Sequence, residues 1–206
     1  MSCCGKLICT GCIYANALSN IQDDEVKVYT CVLCRTSALD KEEYKKRKRE
    51  RIEANDPEAL RCKAAECYNE GNHDKAFKYW TKAAEVGSVE AHYCLGSRYG
   101  AGVCVEKDKE KAIYHLEKAA IGGHPDARHN LAFIEAENGN IDRSVKHDII
   151  AANLGHDNSM KALLSAYKNG FITKEEYGAT LRTHQAAIDA TKSSQRDAAK
   201  RFGISK

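Results

Sequence analysis

Only two prolines occur in 206 residues, so little in the chain interrupts helices. No apolar run approaches 18 residues, which excludes a membrane-spanning helix. The N-terminus carries cysteines and one lysine, not the basic-then-apolar pattern of a secretion signal. A broad basic face is also missing. Residues 40–51 hold seven Lys/Arg against four Asp/Glu, whereas residues 52–206 balance at 22 each, so the net charge of +3 is local. Nothing here argues for nucleic acid or membrane as a partner. There is no nucleophile elbow and no phosphate-cradling glycine loop; Gly100-Ala101-Gly102 reads as a turn. His92, His115, His124, His129, His147, His156 and His184 form no His-x-x-x-His or His-Glu pair, and read as helix-terminal or surface groups. With 30% charged residues, the composition suits a soluble, mainly helical protein of the cytoplasm or nucleus.

What the chain does have is a repeat. Ala91, Leu95, Gly96 and Tyr99 share one face of a helix, Asp108 can cap a second, and Ala112, Leu116, Ala119 and Ala120 line it before Gly122-Gly123. The end signal Ala-Ala-x-x-Gly recurs at Ala83-Ala84…Gly87, Ala119-Ala120…Gly123 and Ala151-Ala152…Gly155, in steps of 36 and 32 residues. Ala59, Ala91, Ala127 and Ser159 open the first helix of each unit. Gly71, Gly139 and Gly170 supply turns, Asp56-Pro57 a helix start, and Thr173 with Glu176 a capping box. Trp80 is expected between hairpins.

The motif Leu95-Gly96…Tyr99-x-x-Gly102-Val103…Asp108-x-x-Lys111-Ala112…Leu116-x-x-Ala119-Ala120-x-x-Gly123 resembles a Sel-one-like repeat of the tetratricopeptide superfamily. The neighbouring copies are poorer: Asp148 stands where Trp80 and Leu116 stand. The resemblance covers about residues 56–190 and implies an α-solenoid of about four helix-turn-helix repeats that binds a protein substrate or peptide. A concave face lined by His92, Arg98, Arg128 and Asn130, exposed on the first helices, is the expected partner surface.

Six of the ten cysteines lie in the first 34 residues, which points to structural zinc rather than disulfides. Cys9-x-x-Cys12 and Cys31-x-x-Cys34 have zinc-knuckle spacing, and taken alone would share one metal. Cys62, Cys67, Cys94 and Cys104, scattered through the helical part, read as small hydrophobes. The longer run Cys4-Gly5-x-x-Ile8-Cys9-x-x-Cys12…Cys31-x-x-Cys34-Arg35 resembles the C-terminal two-thirds of a RING finger. That resemblance implies a cross-braced zinc module over residues 1–36. Cys9/Cys12 and Cys31/Cys34 would be its third and fourth ligand pairs, and Cys4 with Cys3 its second. Ile8, Leu33 and Arg35 would touch a ubiquitin-conjugating enzyme, so that the protein acts as a ubiquitin ligase without a catalytic side chain of its own. Lys6 and Val32 depart from the pattern, and the first ligand pair is missing, which implies a truncated and impaired ligase. The alternative is a non-enzymatic adaptor. Residues 37–55 read as a charged linker helix, with Glu42/Lys46 and Glu43/Arg47 pairs and a basic run that could also direct nuclear import. Residues 191–206 read as a tail.

These readings carry a metal test. Roughly one zinc per chain is expected by metal analysis, because the partial ligand set completes one site in place of two. Ubiquitin discharge should be weak, while a 56–206 fragment stays helical and melts cooperatively in chelator. Robust discharge abolished by Cys31→Ala would overturn the truncation argument, and loss of helicity in chelator would show that the ligands are misplaced.

Overall fold

The computed structural model describes residues 41–192, which hold nine α-helices and no strand. In order these are α1 (Lys41–Glu53), α2 (Pro57–Asn69), α3 (His73–Glu85), α4 (Val89–Ala101), α5 (Lys109–Ile121), α6 (Pro125–Glu137), α7 (Ile141–Asn153), α8 (Asp157–Lys168) and α9 (Lys174–Thr191). Cys3, Cys4, Ile8, Cys9, Cys12, Cys31, Leu33, Cys34 and Arg35 lie outside the described residues, as does the tail from residue 193. The described residues fall into two units. One ends at Ala59 and resumes at Thr191; the other is Leu60–Ala190.

In the first unit α1 is a polar, solvated helix. Glu42 bonds Lys45 three residues on, at 2.7 Å, where the sequence suggested Lys46. The guanidinium of Arg51 meets Asp56 Oδ1 at 2.7 Å, and the same oxygen accepts the Ala59 N–H at 2.8 Å. Asp56 thereby caps α2, with Pro57 opening it.

The second unit is a row of antiparallel hairpins, with α3 packed on α4, α4 on α5, and so on to α8. Three junctions repeat the same chemistry. Gly87, Gly123 and Gly155 adopt φ of +87°, +86° and +87°, which their lack of a Cβ permits. Their N–H groups donate to Ala84, Ala120 and Ala152, and the next residue's N–H donates to Ala83, Ala119 and Ala151. This is a Schellman close. That next residue, Ser88, His124 or His156, then caps the following helix by accepting from Ala91, Ala127 or Ser159 N–H. One glycine and one capping side chain thus both end one hairpin and begin the next.

Small side chains dominate the core. Ala76, Ala91, Ala119, Ala127 and Ala151 are fully buried, and Trp80 is almost so. Leu116, Ala119 and Ala120 of α5 pack on Ala127 and Leu131 of α6, with Val89, Tyr93, Ile113 and Ile134 around them. Ala152, Met160, Leu163 and Ile172 form the corresponding cluster toward the C-terminal end. Alanine buries little apolar area per residue, so this core depends on close backbone approach. Gly96 shows how close: a Cβ there would stand 2.8 Å from Leu116 Cγ and 3.1 Å from the Leu116 backbone nitrogen.

One local reading needs correction. Gly100 and Ala101 do not form a turn; α4 runs through them and ends at Gly102, with φ of +69°. A helix tolerates one internal glycine, and here Gly100 rests on Ala112 at an ordinary 3.7 Å. Asp108 caps α5 as expected, accepting the Lys111 N–H at 2.9 Å, and Thr173 and Glu176 exchange backbone bonds in a capping box.

Replacing Gly96 by alanine should destabilise the chain by about 1–3 kcal/mol, because backbone as well as side chain blocks the new methyl. Gly100→Ala should be neutral or slightly stabilising. Urea unfolding of both variants checks this; equal midpoints would show that the α4–α5 approach is not limiting.

Candidate functional site

The site is easiest to see by comparing one structural position across two repeats. In the α4–α5 hairpin, His92 follows the buried Ala91 and His115 precedes Ala119 by four residues. Their Nδ1 atoms lie 2.9 Å apart, so one ring donates and the other accepts. Tyr99 stacks on His115 at 5.9 Å between centres, and Tyr114 meets it edge-on. Burial and then the neighbouring His92 push the His115 pKa down to about 4. Burial and then Lys118 lower His92 as well. This position is filled by a neutral histidine pair.

In the α6–α7 hairpin the same two positions hold Arg128 and His147. They do not bond each other. Arg128 Nε and His147 Nδ1 are both buried without a hydrogen-bond partner, and burial, followed by Arg128, lowers the His147 pKa. Both line a groove of about 370 Å³ between α5, α6 and α7. Its apolar wall is Ile113, Leu131 and Ile134, and Ile121, 78% exposed, forms part of its edge. Glu135 is already engaged, taking Arg143 at 2.8 Å and Asn140 at 2.8 Å.

Further along the row, the weak copy of the motif turns out to be compensated. Asp148, at the Trp80 and Leu116 position, is buried together with Ser159, at the Ala91 and Ala127 position. Ser159 Oγ donates to Asp148 Oδ1 at 2.6 Å, and His129 Nδ1 reaches the same oxygen at 2.9 Å. The hydrogen bond to Asp148 raises the His129 pKa against the opposing effect of burial. Ser, His and Asp together suggest a hydrolytic triad, but the geometry rules it out. A serine nucleophile needs one histidine nitrogen while the carboxylate holds the other. Here Asp148 and Ser159 both face Nδ1 of His129, and Ser159 has no exposed surface. The cluster is a satisfied polar core contact joining α6, α7 and α8.

The four partner residues expected from sequence are half-buried instead of exposed, and sit in different settings. His92 is paired with His115. Arg98 lies over Trp80 at 3.9 Å and Tyr68 at 4.7 Å, held by the ring faces. Arg128 faces the groove, and Asn130 is on α6 near it in sequence. The histidines, read as terminal or surface groups, divide: His124 and His156 cap helices, while His184 is buried against the Ala152 carbonyl and Asp157. The signal for the pairings was the shared register, visible once 36- and 32-residue steps are applied to each histidine. Among the described residues no group of three or more His, Cys, Asp or Glu is placed to hold a metal. Cys62, Cys67, Cys94 and Cys104 form no disulfide among the described residues, Cys67 being buried and the others half-buried.

Ser159→Ala should cost about 1–3 kcal/mol, because it strips a donor from the buried Asp148 carboxylate. Adding Asp148→Leu should recover most of that loss, since it recreates the Leu–Ala contact of the preceding repeat. Thermal melts of the two variants decide it; additive losses would show that the pair is uncoupled.

Residues 61–88 and 89–124, the first two hairpins, match the Sel1 repeat. Among solved structures, the chain is similar to a protective antigen present in uropathogenic Escherichia coli strains and displaying an SLR fold. That likeness has a TM-score of 0.58 and 26% identity over 71% of this chain and 33% of the other. A Sel1 repeat protein from Oxalobacter formigenes is alike in fold, with a TM-score of 0.59 and 24% identity over 73% of this chain and 64% of the other. The chain therefore spans less than two thirds of either neighbour's length. No curated protein matches it. The first two hairpins are Sel1 repeats, and they belong to a helical scaffold whose structural neighbours are Sel1 and SLR repeat proteins.

Proposed function

We propose that this protein is a non-enzymatic adaptor that holds a protein partner through the groove between α5, α6 and α7. The observation that carries this reading is the groove itself. One wall is apolar, and two buried polar atoms in its lining, Arg128 Nε and His147 Nδ1, have no hydrogen-bond partner among the described residues. Sel1 repeats supply the context, because stacked hairpins present side chains from successive helices on a rigid frame. Among the described residues, the constellation that suggests chemistry, Ser159 with His129 and Asp148, has a fully buried serine that meets the same histidine nitrogen as the carboxylate.

The ligase reading would place a zinc module ahead of this scaffold and make the groove a substrate holder. It is supported by the spacing of Cys9, Cys12, Cys31 and Cys34 and by the run from Cys4 to Arg35. Zinc in that module would be structural, and Ile8, Leu33 and Arg35 would face the conjugating enzyme. Partner capture by the helical repeats is common to both readings, so the adaptor role is the primary one.

Ile121→Asp tests the groove without disturbing the core, since Ile121 is 78% exposed. This variant should lose at least about tenfold in affinity for partner segments, the scale of one lost apolar anchor. Its melting temperature should not change. Phe171→Asp, also at an exposed apolar position, should retain full binding. Binding indifferent to Ile121→Asp would place the partner surface elsewhere.

A further inference from the structure

The adaptor reading leaves the partner's chemistry open, and the groove lining narrows it. Arg128 forms no ion pair and no side-chain hydrogen bond among the described residues, although its Nε is buried. A buried guanidinium nitrogen left unbonded is costly, so the fold normally supplies a partner. Arg98 Nε is likewise buried and unbonded, but the rest of that guanidinium is held: Trp80 and Tyr68 cover it and its Nη1 donates to the Cys94 carbonyl. Arg128 has neither ring nor carbonyl. Of the two acids that line the groove, Glu135 is taken by Arg143 and Asn140, and Glu117 is exposed and forms no ion pair with Arg128.

The preceding repeat shows what a closed version looks like. There His92 and His115 satisfy each other across 2.9 Å. Putting arginine at the first of these positions removes that bond and adds a charge beside the second, His147 Nδ1, which is also left unpartnered. The apolar wall of Ile113, Leu131 and Ile134 adjoins these two groups. A volume of about 370 Å³ admits one or two side chains of a peptide, not a folded surface.

Resting on the adaptor reading, we infer that the groove selects a peptide segment in which a carboxylate side chain lies next to a branched aliphatic one. The carboxylate bonds the Arg128 guanidinium, and the aliphatic group packs on Ile113, Leu131 and Ile134. The His147 ring lines the groove beside them. Charge complementarity chooses the acid: an amide would leave the arginine charge unpaired, whereas a carboxylate gives a charge-assisted bond.

A random peptide library displayed on phage, selected against the full chain, provides the probe. Enriched peptides should carry Asp or Glu beside Leu, Ile or Val. Arg128→Gln should weaken them by about tenfold or more, the scale of one charge-assisted bond. Exchanging the peptide's Glu for Gln should produce the same loss against the unaltered chain, and little further loss against Arg128→Gln. The peptide-side exchange keeps the test valid even if the Arg128 variant folds poorly. Peptides that depend on Ile121 yet show no acidic preference and ignore the Glu-to-Gln exchange would overturn this inference and leave the adaptor reading standing. A selection yielding no peptide sensitive to Ile121→Asp would remove both.

Discussion

Close approach of small residues is the constraint on which this structure rests. At the crossing of α4 and α5, Gly96 leaves no room for even a methyl group against Leu116. Gly122 is equally tight against Val89. Alanines do the same work along the rest of the row, at Ala91, Ala119, Ala127, Ala151 and Ala152, all essentially inaccessible. Because each contributes little apolar area, helices must come near enough for backbone and Cβ atoms to pack directly. Larger side chains such as Leu95, Leu116 and Leu163 then fill what space remains.

The same constraint fixes the register, and register makes the polar substitutions meaningful. A hairpin repeated in phase brings position-equivalent residues to equivalent places, so one set of contacts can be traded for another. Leu116 against Ala127 in one repeat becomes Asp148 against Ser159 in the next, with His129 completing the bonds. His92 against His115 becomes Arg128 beside His147. The first exchange is self-satisfying and therefore structural. The second leaves two buried polar atoms in the groove lining without a hydrogen-bond partner among the described residues.

The sequence alone determined the hairpins. Their alanine and glycine end signals, the caps at Asp56, Asp108 and Thr173, and the apolar face Ala112–Leu116–Ala119–Ala120 are local features, each readable within one or two helical turns. It misplaced the end of α4 because glycine in Gly100-Ala101-Gly102 permits either a turn or one more helical turn, and only packing against Ala112 distinguishes them. What tertiary structure decided were contacts between residues far apart in the chain. Arg98 and Arg128 look alike in sequence, as polar positions on first helices. One is covered by Trp80 and Tyr68, and the other opens on the groove. Asp148 looks like a flaw in the repeat until Ser159 and His129 are beside it. Local signals specify helices because their hydrogen bonds close within four or five residues. Burial, pairing and vacancy depend on which helix comes to lie alongside, and that is settled only when the hairpins pack.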